Sequence, residues 1–113
     1  MNETCIFCRI VRGEIPAERV LETDNVIAIR DVNPQAPVHV LVLPKTHVAG
    51  LLELPAEDVT WNRLIGTVQE VVRVEGLVNG FRMVVNQGSD GGQTVPHLHL
   101  HVLGGRALHW PPG

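Results

Sequence analysis

The sequence predicts an α+β domain of five antiparallel strands with one short N-terminal helix and one long helix, and three observations carry that prediction. Four short runs rich in Val, Ile and Leu are bounded by turn-forming residues, and a fifth, Val95–Leu103, alternates histidine with aliphatic side chains. Between the third and fourth runs, apolar residues recur at helical rather than strand spacing. The first two runs are joined by a short polar turn, which makes them neighbours of opposite direction.

Cys5–Gly13 reads as the short helix, with Thr4 placed to cap its first turn and Gly13 to end it. Ile6, Phe7, Ile10 and Val11 form its apolar side, and Ile6 and Phe7 suit either packing or the wall of a nucleobase pocket. Ile15-Pro16-Ala17 breaks the chain. Arg19–Glu22 and Val26–Arg30 then form a hairpin through Thr23-Asp24-Asn25. Asp31–Pro37 is a loop, because two prolines so close together cannot both sit in a paired strand. Asp31 at its start can cap the turn or accept hydrogen bonds from the hydroxyls of a sugar.

Val38–Pro44 is apolar at nearly every position, as expected of a strand covered on both faces. His39 is its exception, either a satisfied core residue or the partner of another polar group on the same face. Lys45-Thr46-His47 closes the strand in a loop. From Pro55, the spacing of Trp61, Leu64, Ile65, Val68, Val71 and Val72 predicts the long helix, stopped at Gly76, as a cover for one face of the sheet. Phe81–Val85 is the fourth strand, the glycine-rich run Asn86–Thr94 turns the chain, and the histidine strand returns beside it. The tail Gly104–Gly113 carries no regular pattern, yet Trp110 is too apolar to be left in water and is expected to pack, for instance on a second subunit.

The 113 residues form a single domain spanning 1–113, with 44% hydrophobic and 19% charged residues, the balance of a folded globular protein. A net charge of −3 argues against nonspecific binding to nucleic acid or to an anionic membrane, so any phosphate must be held in a local pocket. No run approaches the roughly 18 apolar residues of a membrane span. The polar start Met1-Asn2-Glu3-Thr4 does not resemble a signal peptide, and a cytoplasmic location is expected. In that setting Cys5-x-x-Cys8 reads as thiols or metal ligands before it reads as a disulfide.

The histidines carry the chemistry. Side chains on a strand point to opposite faces in turn, so His97, His99 and His101 share one face while Leu98, Leu100 and Val102 share the other. Such a row could be a solvated face or a metal patch, but here it interrupts an apolar run that needs burial and follows a loop rich in backbone N–H groups. Gly88, Gly91 and Gly92 allow that loop to bring several donors to one anion, with Asn86 and Thr94 adding side-chain donors. Imidazole titrates near neutrality, so one ring can act as a nucleophile while a neighbour holds the proton for a leaving group, a division of labour suited to displacement at phosphorus.

His97-Leu98-His99-Leu100-His101-Val102-Leu103 resembles the histidine triad (HIT) family of nucleotide hydrolases and transferases. The resemblance extends through Cys5–Arg12, Asp31–Pro44, Asn86–Thr94 and the ending Gly104-Gly105-Arg106 with His109-Trp110-Pro111-Pro112-Gly113, and is greatest to the branch of histidine triad nucleotide-binding proteins. It implies a HIT-like five-stranded antiparallel sheet, joined to a second sheet across a homodimer, with the tail reaching the partner's site. The implied activity is that of a purine nucleoside phosphoramidate hydrolase, acting on adenosine or guanosine 5′-phosphoramidates and aminoacyl adenylates through a covalent nucleotidyl-histidine.

The same resemblance makes His99 the nucleophile, sets His101 on the phosphate and departing group, and has His97 and His39 fix the orientation and protonation of the nucleophile's ring. Asn86, Gly92, Gln93 and Thr94 would hold the α-phosphate, and Asp31 with Val32 would meet the ribose and base. Family members more often carry Ser where this chain has Thr94, a change that keeps the hydroxyl. No organic cofactor is implied. Many microbial members bind a structural zinc, and this chain offers the corresponding set Cys5, Cys8, His47 and His97; the plain alternative is two buried thiols and a surface histidine. A dinucleoside polyphosphate hydrolase, a non-catalytic nucleotide-sensing or partner-binding module, and a protein that serves mainly to bind zinc are the competing functions.

Overall fold

The computed structural model describes residues 3–113; Met1 and Asn2, which belong to the polar start, lie outside the described residues. The chain runs α1 (Ile6–Val11), β1 (Arg19–Glu22), β2 (Val26–Arg30), β3 (Val38–Pro44), a 3-10 turn (Leu51–Glu53), α2 (Thr60–Val74), β4 (Phe81–Val84) and β5 (Leu100–Gly104). The five strands form one antiparallel sheet in the order β1-β2-β3-β5-β4, so β5 returns into the gap between β3 and β4. Among the described residues no helix is long and apolar enough to cross a membrane.

The two faces of this sheet have separate cores. Val26, Ala28, Val40, Val42, Leu98, Leu100 and Val102 pack with Leu64, Val68 and Val71 of α2. On the opposite face Ile27, Ile29, Leu41 and Leu43 pack with Cys5, Phe7, Cys8 and Ile10 of the α1 region. Strand alternation produces this division directly, since in β3 Val40 and Val42 meet α2 while Leu41 and Leu43 meet α1.

Both helices stop at a glycine in the left-handed conformation, Gly13 at φ 79° and Gly76 at φ 66°. After α1 the Glu14 N–H reaches Arg9 O at 2.9 Å and the Gly13 N–H reaches Ile10 O at 2.9 Å, which satisfies two carbonyls that the helix end would otherwise leave open.

Two helix starts depart from expectation. Cys5, not Thr4, caps α1, and its Sγ accepts the Cys8 N–H at 3.4 Å. The second helix starts at Thr60, several residues after Pro55, because Pro55–Asp58 closes a turn of its own and the Asp58 carboxylate takes the Thr60 N–H at 2.8 Å. The histidine strand is also shorter than its sequence pattern. Pro96 has no N–H to give to a ladder, His97 N–H turns back to Val95 O at 2.9 Å, and regular pairing with β3 starts only at Leu100.

Candidate active site

A cavity of about 410 Å³ opens on the α1 face of the sheet. Ile6, Phe7 and Ile10 of α1, Ile15-Pro16-Ala17 after it, and Ile29 and Leu41 of the sheet give it an apolar slot. Asp31 and Val32 stand at one side, and Asn86, Gly92, Thr94, His99 and His101 form the polar end. Phe7 packs in the α1-face core and also lines the cavity, whereas Ile6 is half exposed and only lines it. Arg30 is the one cation among the lining residues, and its charge is already matched: it forks onto Glu75 at 2.7 and 3.1 Å and meets Glu18 at 2.8 Å. An anion in this cavity finds no unmatched Arg or Lys among the lining residues.

Hydrogen bonding fixes the proton positions on the histidines. His99 Nδ1 lies 2.7 Å from the His97 carbonyl, which can only accept, so Nδ1 carries a proton and, in the neutral ring, Nε2 carries the lone pair. No buried side-chain nitrogen or oxygen among the described residues lacks a partner, and His99 Nε2 has no protein partner, so it reaches the open cavity. His39 shows the mirror pattern. Its Nδ1 accepts the Gln35 N–H at 3.0 Å, which leaves the proton on Nε2, and that Nε2–H is donated to His101 Nδ1 at 2.9 Å. His101 consequently presents an Nε2–H donor. The rings of His99 and His101 stand 5.0 Å apart between centroids.

Burial lowers the pKa of His101 to about 4, assisted by the neighbouring His99 and His39 and opposed by Asp31. His39 is likewise lowered by burial and opposed by Asp31, whose carboxylate is 3.4 Å away. Both rings are therefore neutral near pH 7. The other Asp31 oxygen caps the turn by accepting the Asn33 N–H at 2.8 Å, and the residue also lines the cavity.

Not every residue expected at the site is there. His39 stands behind His101 and does not line the cavity. The His97 ring turns away from it altogether: Nε2 donates to Pro44 O at 2.8 Å and Nδ1 faces Cys5 Sγ at 3.3 Å and Cys8 Sγ at 3.6 Å. What His97 gives His99 is its backbone carbonyl. Gln93 is also absent from the lining, because its Nε2 is held by Ala49 O at 2.8 Å and Val95 O at 3.2 Å while its Oε1 accepts the Gly88 N–H.

The glycine loop is a self-bonded turn and not the open nest that its composition suggested. Gly92 N–H goes to Ser89 O at 3.1 Å, Gln93 N–H to Gly88 O at 3.0 Å, and Asn86 Nδ2 holds Gly91 O at 2.6 Å. Gly91 is required by space: a Cβ there would lie 2.3 Å from Gln87 O. Gln35 was missed in the sequence because it acts through its backbone N–H, for which no side-chain type gives a signal.

Behind the cavity, Cys5 Sγ, Cys8 Sγ, His47 Nδ1 and His97 Nδ1 all lie within 4.8 Å of one another. His47 Nδ1 is 3.3 Å from Cys8 Sγ, and both cysteines are free and buried. Two sulfurs and two imidazole nitrogens in such a cluster are the donor set of a tetrahedral zinc site. Burial raises the Cys5 thiol above its ordinary pKa, a penalty on the thiolate that a divalent cation would offset. The residues fit a zinc ion, which would supply a structural cross-link here and no catalytic chemistry.

An antiparallel sheet bearing a row of histidines, with a glycine-rich hairpin beside it and an apolar slot in front, defines a histidine triad protein. Comparison with known proteins agrees: the HIT domain matches residues 12–108, and the chain belongs to the HIT domain family. It is 44% identical over 111 residues to the adenylylsulfatase HINT1 of Arabidopsis thaliana, covering 96% of this chain and 76% of that protein. It is also 44% identical over 111 residues to a 14 kDa zinc-binding protein of Brassica juncea, covering 96% of this chain and 98% of that one. Among solved structures, a HIT family hydrolase from Legionella pneumophila superposes with a TM-score of 0.94 at 45% identity, covering 97% of this chain and all (100%) of that one. These structures share the five-stranded antiparallel sheet with one long and one short helix.

Proposed function

We propose that the protein hydrolyses purine nucleoside 5′-phosphoramidates and aminoacyl adenylates through a covalent nucleotidyl-His99 intermediate. The observation that carries this reading is the His99 Nδ1–H held on the His97 carbonyl at 2.7 Å, which leaves Nε2 as a lone pair open to the cavity. A neutral imidazole fixed in that tautomer is a nucleophile ready for phosphorus. The apolar slot between α1 and the sheet suits a purine, Asp31 and Val32 suit the ribose, and Thr94, Asn86 and the His101 Nε2–H suit the α-phosphate.

In the first step on a phosphoramidate, His99 Nε2 bonds to phosphorus as the P–N bond breaks and the amine leaves with a proton; on an aminoacyl adenylate the P–O bond to the acyl group breaks instead and the carboxylate leaves without one. In the second, water attacks phosphorus, the P–His99 bond breaks and the nucleoside monophosphate departs. A nucleotide phosphate places negative charge against His101 and so favours its charged form, in which Nδ1 gains a proton and gives up the His39 Nε2–H, leaving that N–H to the Asp31 carboxylate 3.4 Å away. The proton then enters with the substrate, leaves with the amine and is restored by the attacking water. Hydrogen bonds from fixed donors to the phosphoryl oxygens stabilise both transition states.

The resemblance to adenylylsulfatase favours a second leaving group for the same site, sulfate in place of amine, with the nucleophile unchanged. Zinc at the Cys5, Cys8, His47 and His97 cluster is part of the proposal, supported by the donor set and by the zinc-binding relative. So is a homodimer joined at β4, the edge of the sheet, where Phe81 and Met83 are half exposed and Arg82 holds His109 O at 2.8 Å, leaving Trp110 82% exposed beside that edge. The free Cys5 and Cys8 suit the reducing cytosol.

The test is to offer adenosine phosphoramidate, adenylyl sulfate and a diadenosine polyphosphate side by side to wild type and to His99→Gly. Release of AMP from the phosphoramidate at the highest kcat/KM, lost in the variant, is expected. Preference for the polyphosphate, or full activity in His99→Gly, overturns the proposal.

A further inference from the structure

We infer that the Cys5, Cys8, His47 and His97 cluster sets the nucleotide affinity of the cavity in front of it, so that metal and nucleotide bind with mutual reinforcement. The inference rests on the reading of the cavity as a nucleotide site. Three physical connections run from the cluster, and each ends on a different side of the cavity.

The first runs through α1. A helix of six residues cannot hold itself together in water, since its few internal hydrogen bonds do not repay its nucleation. Two cluster members sit at its start, Cys5 as its cap and Cys8 in its first turn, while Ile6, Phe7 and Ile10 of the same helix line the slot. Phe7 stands edge-on to the rings of His97 at 5.8 Å and His99 at 5.0 Å between centroids. Whatever fixes the two sulfurs therefore fixes one wall of the slot.

The second runs through a single residue. His97 gives its Nδ1 to the cluster and its carbonyl oxygen to His99 Nδ1, so the ring that faces the sulfurs and the acceptor that orients the nucleophile move together. The third runs through the segment that follows His47. Val48 O accepts the Leu98 N–H at 2.6 Å and Ala49 O accepts Gln93 Nε2 at 2.8 Å, so the segment carrying one ligand also holds the start of the histidine strand and the glycine loop.

Without a metal the four ligand atoms meet one another through thiol–imidazole contacts of 3.3 to 3.6 Å, and S–H is a weak donor. A metal replaces those contacts with four strong bonds. The walls it tightens are ones that a nucleotide needs in place, and a ligand that orders them for one partner lowers the ordering cost for the other. Thermodynamic linkage makes the effect reciprocal, and couplings of this kind commonly span about 5- to 150-fold.

The experiment is a calorimetric titration of AMP into zinc-loaded and chelator-stripped protein, paired with zinc affinity measured by chelator competition with and without saturating AMP. AMP is expected to bind about tenfold more weakly to the stripped protein, and zinc about tenfold more tightly in the presence of AMP, a factor within the usual range for such coupling. Equal AMP affinity in the two forms, both folded by circular dichroism, overturns the inference. Should the stripped chain unfold, the cobalt-loaded protein decides: saturation with AMP is expected to shift its visible thiolate and ligand-field bands, and an unmoved spectrum overturns it. Failure of AMP to bind even the zinc-loaded protein would instead remove the nucleotide reading on which the inference stands.

Discussion

The two faces of one sheet behave as two different materials. On the α2 face, β3 and β5 present Val40, Val42, Leu100 and Val102 to Leu64, Val68 and Val71, all buried and all apolar. On the α1 face the same two strands present His39, Leu41 and His101, with a cavity, a chain of directed hydrogen bonds and a Cys/His cluster packed beside them. The α2 face can trade one aliphatic residue for another at modest cost, because burial has no direction. The histidines of the other face are not interchangeable in this way, since each of their ring nitrogens has its own proton or lone pair to place. The comparison teaches that stability and chemistry are separable along a strand at single-residue resolution, and mutations one position apart should divide accordingly.

The largest expected effect is on the chemical face. His99→Gly should lower kcat/KM by about 10⁴-fold or more, as removal of an attacking group does elsewhere, while thermal unfolding changes little. A large loss of stability in this variant would break the distinction between the faces. Leu64→Ala, from the fully buried middle of α2, should show the reverse: a cost of about 2–5 kcal/mol in denaturant unfolding with kcat per folded molecule nearly unchanged.

Acid should weaken the α1 face selectively. His97 and His101 are each held at about 4 by burial, against an ordinary value of 6.5. Between those values the unfolded chain binds protons that the folded chain does not, so stability is full above about pH 6.5 and falls as pH drops toward 4. Each group contributes up to about 3 kcal/mol of that loss, and urea unfolding at pH 7, 5.5 and 4 measures it. His97→Asn should flatten part of the profile.

A subtler effect concerns proton uptake. If AMP restores charge to His101, calorimetric titrations at pH 7 in buffers of different ionisation enthalpy should show a proton taken up on binding, and His101→Gln should abolish the uptake. The smallest effect belongs to Thr94. Thr94→Ser should stay within about twofold of wild type in kcat/KM, whereas Thr94→Ala, which loses a hydrogen bond worth about 1 kcal/mol, should fall roughly fivefold.

The fold was legible wherever local pattern decides the outcome. The strands Arg19–Glu22, Val26–Arg30 and Val38–Pro44 match their sequence limits, because turn residues bound them on both sides. The pairing of histidines with one face and leucines with the other was legible too, since strand alternation needs no tertiary information. What could not be read was where a polar group spends its hydrogen bonds. His97 looks like its two neighbours in the sequence, yet the nearby sulfurs claim its ring. Gln93 has the chemistry to hold a phosphate, but the Ala49 carbonyl takes its amide first. The glycine loop closed on itself because unpaired backbone N–H groups find the nearest carbonyl. Such competition is settled by distances between segments remote in the chain.

The most direct measurement is the mass of the intact protein, acid-quenched while it turns over adenosine phosphoramidate, followed by peptide mapping of any adduct. A nucleotidyl group on His99, absent from His99→Gly and discharged when water is allowed to react, is the predicted result. Steady turnover with no adduct at any quench time, or an adduct on a residue outside the cavity, would contradict it.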